Sequence, residues 1–138
     1  MKITTGILFT LLLMAFSCDK IADHVYSITV KNNTSHDIQA TPGLGPNYMS
    51  SYPDTAIPEL KPDLVPIAPN GYSYLDLSAK WETIFPRLPA DTLSIYIFST
   101  DTLNVYDWSK IRTGYKVLKR YDLSLDDLQK SNYTITYP

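Results

Sequence analysis

One cysteine, two histidines and five glycines are all that the 138 residues contain. A single thiol excludes an internal disulfide and any C-x-x-C or four-cysteine metal framework. His24 and His36 are the only imidazoles, and no H-E-x-x-H pattern accompanies them. Glycine-rich phosphate loops, a dinucleotide fingerprint and a nucleophile elbow are likewise absent. Neither sign of charge dominates: 12 Lys and Arg face 14 Asp and Glu, a net of −2. Nucleic-acid binding needs a clustered basic surface, which this balance does not provide. The longest apolar run, Ile7 to Phe16, falls well short of the ~20 residues that a spanning helix requires. There is no βαβ rhythm and no internal repeat. No enzyme, no metal, no cofactor and no nucleic acid is expected from these absences.

What is present begins with an address. Lys2 gives a positive start, Ile7 to Phe16 gives a short apolar stretch, and small Ser17 precedes Cys18. Such a stretch is a secretory signal rather than a membrane span. Ala15-Phe16-Ser17-Cys18 resembles the lipobox of bacterial lipoproteins, in which cleavage falls just before a cysteine that is then lipidated. That explains a lone thiol in an exported chain, and commits Cys18 to acyl chains such as palmitate. Each buried CH2 contributes ~0.8 kcal/mol, and stable anchoring takes two chains or more. The expected organisation is a signal peptide over 1–17, a lipidated tether over 18–23 and one domain over 24–138. Lys2 is the only charge in the signal, so the mature chain carries a net of about −3.

The domain reads as mainly β. His24 to Lys31 alternates, with Tyr26, Ile28 and Val30 on one face, which is the pattern of a half-buried strand. Asn32 to Ser35 is turn chemistry, and His36 to Thr41 is expected to return beside the first strand as a hairpin. Seven of the ten prolines lie between Pro42 and Pro69. Proline cannot donate to a ladder, so central strands are not expected there. An ordered, extended loop is expected instead, pinned by side chains such as Tyr48, Met49, Tyr52, Ile57 and Leu64.

Asn70-Gly71 predicts a turn, Tyr72 to Leu77 a strand, and Ser78 to Phe85 a short helix with Trp81, Ile84 and Phe85 inward. Leu93 to Ser99 is apolar on both faces, as a centrally placed strand is. Asp107 opens a helical turn that Gly114 ends, Tyr115 to Asp122 reads as a strand, and Ser124 to Asp127 has the form of a capping box. Asn132 to Tyr137 is the last strand. Six strands, two or three short helices and a long Pro-rich loop make a small antiparallel β-sandwich-like domain.

Lys116 to Leu128, with Tyr52-Pro53-Asp54-Thr55, Asp91-Thr92-Leu93, Asp101-Thr102-Leu103 and Thr134 to Pro138, resembles the small uncharacterised lipoproteins of Bacteroides and its relatives. The resemblance covers most of the mature chain. It implies an envelope location, with the outer membrane expected, and brings no catalytic residues. It also implies a modification, because bacteria of that group O-glycosylate exported proteins at Asp-Ser/Thr followed by an aliphatic residue or threonine. Thr55, Thr92 and Thr102 are the candidate acceptors, and Thr55 is the foremost because it lies in the loop.

Four further groups are candidates for contact or chemistry. Tyr48, Met49 and Tyr52 are the expected partner contacts, since recognition loops on rigid scaffolds carry function. Trp81 and Trp108 would anchor a sugar if exposed, although their apolar neighbours favour the core. His24 and His36, flanking the expected hairpin with Asp23 and Asp37 beside them, make a conceivable but disfavoured metal pair. Lys116, Lys119, Arg120 and Arg112 form the one basic cluster, read as a solvated strand face. The function expected is a lipid-anchored, non-enzymatic accessory or interaction protein of the cell envelope, whose partner is another envelope protein. The rival is an envelope glycan-binding protein that stacks aromatic rings on sugars.

Overall fold

The computed structural model describes residues 26–45, 50 and 52–138. Cys18, His24, Tyr48 and Met49 lie outside the described residues. Seven strands form two sheets, as the alternating segments require. Tyr26–Asn32 (β1) is the centre of one sheet, antiparallel to Tyr72–Leu77 (β4) and parallel to Thr134–Tyr137 (β7). The other sheet is antiparallel throughout, in the order Val65–Ile67 (β3), Ile38–Pro42 (β2), Leu93–Ser99 (β5) and Lys119–Leu123 (β6).

The inner faces meet over one apolar core. Ile28, Val30, Leu75, Leu77 and Ile135 come from the first sheet, and Ile38, Ala40, Ile67, Leu93, Ile95 and Ile97 from the second. The short helix Trp81–Ile84 (α1) and the 3-10 turn after it close this core with Trp81, Ile84 and Phe85. The Trp81 ring stacks on Tyr133 at 5.4 Å and takes the edge of Tyr26 at 6.0 Å. At the side of the sandwich, the Tyr121 hydroxyl donates to Thr136 O at 2.8 Å, latching β6 to β7.

The expected hairpin between the first two strands does not form. β1 and β2 follow one another in sequence but belong to different sheets. The reason lies in Asn32, the last residue of β1 and fully buried. Its side-chain amide donates to His36 O at 2.8 Å, Ala68 O at 3.1 Å and Ile67 O at 3.3 Å. Its oxygen accepts from the backbone and hydroxyl of Thr34. These bonds turn the chain into a corner that carries it across the core. The 68–71 link between β3 and β4 makes the opposite crossing beside it, with Asn70 at φ 53 and its N–H donating to Thr34 O. One buried asparagine thus ties two crossings together.

Other expectations shift by smaller amounts. β3 adds a seventh strand within the Pro-rich stretch, and Pro66 is tolerated because β3 is an edge. The sixth strand starts at Lys119 rather than Tyr115, whose φ of 45 breaks extended pairing. Thr100–Val105 (α2) is a helix that the sequence did not announce. Trp108–Thr113 (α3) begins after Asp107 and stops at Gly114, and Leu125–Lys130 (α4) carries the full capping box from Ser124 and Asp127. Four short helices are thus described.

Candidate partner-binding cleft

β5 is buried on both faces, and its second face builds the region of interest. Leu93, Ile95 and Ile97 enter the sandwich, whereas Ser94, Tyr96 and Phe98 point outward and are covered as well. A second apolar cluster of Ile57, Tyr96, Phe98 and Ile111 lies there, with Leu64, Leu103, Trp108 and Val117 around it. α3 supplies Ile111 and Trp108, and the Pro-rich stretch supplies Ile57 and Leu64.

Residues 54–58 run across this face as a strap whose carbonyls are held one after another. Arg120 donates to Asp54 O at 2.6 Å, and the Tyr96 hydroxyl to Ala56 O at 3.3 Å. Arg112 Nε donates to Ile57 O at 3.3 Å, and Trp108 Nε1 to Pro58 O at 3.2 Å. Residues 54–58 belong to no strand, so long side chains meet their carbonyls instead. Each such bond contributes ~0.5–1.5 kcal/mol, and more from a charged donor.

Arg120 makes the most bonds of the four. Its side chain is 10 % exposed and sits 5.5 Å from the Tyr96 ring centroid and 5.9 Å from that of Tyr52. Nε binds Asp122 at 2.7 Å and Nη2 binds Ser94 Oγ at 3.1 Å, while Ser94 in turn donates to Asp122 at 2.6 Å. Burial works against the guanidinium charge, but the Asp122 hydrogen bond, Tyr96 and the Asp122 charge outweigh it and raise the pKa. Gly43 completes the packing: a Cβ there would lie 2.6 Å from Tyr96 Cε2, so only glycine lets the chain pass.

Between the strap and the sandwich lies a cleft of about 810 Å³. Its walls include Leu44, Ile57, Pro58, Leu60, Val65 and Leu75. Glu59, Lys61, Asp63, Asp76 and Arg112 supply the charge around them. Leu60 is 74 % exposed, an isolated apolar side chain on a cleft wall. The volume falls in the ~300–1,000 Å³ range of ligand-binding clefts.

Of the basic cluster read as a solvated strand face, only Lys119 is exposed on a strand. Arg112 and Arg120 are strap clamps, while Lys116 lies 4.3 Å from the Tyr106 centroid and Lys119 5.7 Å from that of Tyr121. Tyr52 is half-buried beside Arg120 rather than presented outward. Trp81 is buried in the core and Trp108 is half-buried under the strap, so neither offers an open ring face. His36 is exposed and follows the corner that replaces the hairpin, so no hairpin brings it to His24.

Of the candidate glycosylation sites, Thr55 is exposed on the strap and Thr92 is half-buried, with its hydroxyl on Ala90 O at 2.8 Å. Thr102 lies within α2, and its N–H donates to Ser99 Oγ. An exposed aromatic pair stands where the sequence raised no candidate: Tyr72 and Tyr74, with ring centroids 5.7 Å apart on the outer face of β4. Period-two alternation against inward Leu75 and Leu77 was the available signal.

No protein-family model, no curated protein and no solved structure matches the chain.

Proposed function

We propose that the protein is a lipid-anchored, non-enzymatic accessory protein of the cell envelope, which holds an envelope protein partner in the cleft beside the strap. The cleft carries this reading, because its outer wall is fixed by four side-chain donors before any ligand arrives. A preorganised wall lowers the ordering cost of association. Placement on the membrane rests on the lipobox-like Ala15 to Cys18, with acyl chains on Cys18 as the anchor. Two measurements test the two halves. Cys18→Ala is expected to move the protein from the membrane to the soluble envelope fraction, and unchanged fractionation refutes the anchor. A photo-crosslinker at Leu60 is expected to trap one stoichiometric envelope protein, whereas one on exposed Lys130 of α4 traps none. Equal labelling from both positions refutes the cleft as the contact.

A glycan-binding reading has one observation in its favour, and it is not the tryptophans. Tyr72 and Tyr74 stand on the outer face of the β4-β1-β7 sheet, opposite Lys31 and Thr29 in the ladder. Thr134 and Thr136 continue that row of hydroxyls on β7. Exposed rings beside hydrogen-bonding groups suit a sugar face. Replacing both tyrosines with alanine abolishes oligosaccharide binding under this reading, and unchanged retention on envelope polysaccharide discards it.

A further inference from the structure

We infer that the occupant of the cleft is an extended, basic segment of the partner protein, which adds as a strand to the free edge of β4. The inference rests on the reading of the cleft as the partner site and specifies what enters it. Three observations converge there.

The first is an unpaired edge. β4 ends its sheet, with β1 on one side and no strand on the other among the described residues. Asn32 N–H donates to Gly71 O at 2.8 Å, which makes that pair a hydrogen-bonded one. In an antiparallel ladder such pairs alternate, so Ser73, Leu75 and Leu77 turn their backbone groups to β1. Tyr72, Tyr74 and Asp76 then direct N–H and C=O outward, and no backbone partner meets them among the described residues. Six residues of exposed edge is a template for another strand.

The second is continuity. Leu75 and Asp76 of β4 line the cleft, so the free edge and the apolar walls form one surface. Side chains of an added strand alternate between faces. Every second one would enter the cleft toward Leu44, Leu60 and Val65, and the others would lie beside Tyr74 and Asp76.

The third is charge. Glu59, Asp63 and Asp76 are exposed on the lining and enter no ion pair among the described residues. Two cations stand with them: Lys61, and Arg112, which donates through Nε to Ile57 O and keeps its charge, so the balance of the lining is negative by one. Three carboxylates without an ion pair, against two cations, favour a segment that interleaves apolar with basic residues, and charge complementarity of this kind selects among strands that backbone pairing alone would accept.

The test uses the full chain in detergent and a short, end-capped peptide that alternates lysine with valine. Binding is expected to slow amide exchange at Tyr72, Tyr74 and Asp76, to weaken with salt, and to be about tenfold or more tighter than for the glutamate–valine counterpart. N-methylation of every second residue of the peptide keeps the side chains but removes one row of donors, and is expected to abolish binding. Combining Glu59→Gln, Asp63→Asn and Asp76→Asn, all exposed positions, is expected to erase the preference for lysine while leaving the fold intact. Equal binding of the two peptides, indifference to N-methylation, or no protection of the β4 amides overturns the inference. Concentration-dependent protection of the same amides without peptide also overturns it, because a second copy is then the occupant. A Leu60 crosslink to an envelope protein combined with failure of the peptide leaves the cleft reading standing and removes only this inference. Absence of both removes the two together.

Discussion

Asn32 is the residue on which the topology turns. A polar side chain at zero exposure is costly unless every donor and acceptor is matched, and here the amide is matched on both ends. Truncation removes the donor from buried Ile67 O, at ~1–3 kcal/mol for a buried group, and from His36 O and Ala68 O at the part-buried rim, where water offsets some of the loss. Asn32→Ala is therefore expected to lower unfolding free energy by roughly 2–4 kcal/mol in urea titration. Asn32→Asp is expected to cost at least as much near neutral pH, since a carboxylate cannot donate to those carbonyls and loses hydration. Native stability in the Asn32→Asp variant would show that the corner is held by something else. Thr55 is the second residue with a definite forecast. It is the one candidate acceptor whose side chain lies exposed on the strap, away from helix and ladder. If the Asp54-Thr55-Ala56 motif is used, intact mass falls by one glycan in Thr55→Ala, and an unaltered mass excludes that site.

Among the elements, α4 shows local sequence and fold in agreement. Asp127 accepts from the Ser124 backbone and hydroxyl, while Ser124 Oγ accepts from Asp127 N. Those bonds hold the Asp127 carboxyl below its ordinary value, with the Ser124 hydroxyl as the largest cause. A depressed folded pKa gives stability above the unfolded value, which is lost as pH falls through the folded one. The Asp127 carboxyl resonance is expected to titrate below the ordinary carboxylate range, and Ser124→Ala should return it upward. A titration unmoved by that substitution would assign the shift elsewhere. This cap was legible because all its parts lie within four residues. The β1–β2 corner was not, because alternation reports which face is buried and never which strand lies alongside. Asn32 to Ser35 reads as a turn in either topology, and the deciding carbonyls at Ile67 and Ala68 are more than thirty residues away. α2 escaped for a different reason: Thr100-Asp-Thr-Leu-Asn-Val is poor in helix formers, and Ser99 at its cap was the sole cue. The cleft was half legible. Proline spacing announced an ordered loop, but its clamps at Tyr96, Trp108, Arg112 and Arg120 stand 40 to 66 residues from the carbonyls they hold.

At the scale of the molecule, β5 is shared between two apolar clusters of unequal size. The larger joins both sheets and takes Leu93, Ile95 and Ile97; the smaller takes Tyr96 and Phe98 and holds the strap. Stability is therefore not uniform across the domain. The sandwich can stand while the strap opens, but the strap has nothing to pack on once β5 is lost. Ile95→Ala, at a site with zero exposure in the larger cluster, is expected to lower global stability by about 2–5 kcal/mol. Ile57→Ala removes a similar volume from beneath the strap, where the chain can settle toward solvent, so its cost is expected at or below about 2 kcal/mol. Hydrogen exchange separates the two cases. Ile57→Ala should speed exchange at Ala56, Ile57 and Leu60 while β1 and β5 keep native protection. Ile95→Ala should raise exchange in both sheets together. A uniform rise in both variants would mean that sandwich and strap unfold as one unit. The strap would then be as stable as the sandwich that carries it, and the cleft wall would be held by the whole core as well as by its four side-chain donors.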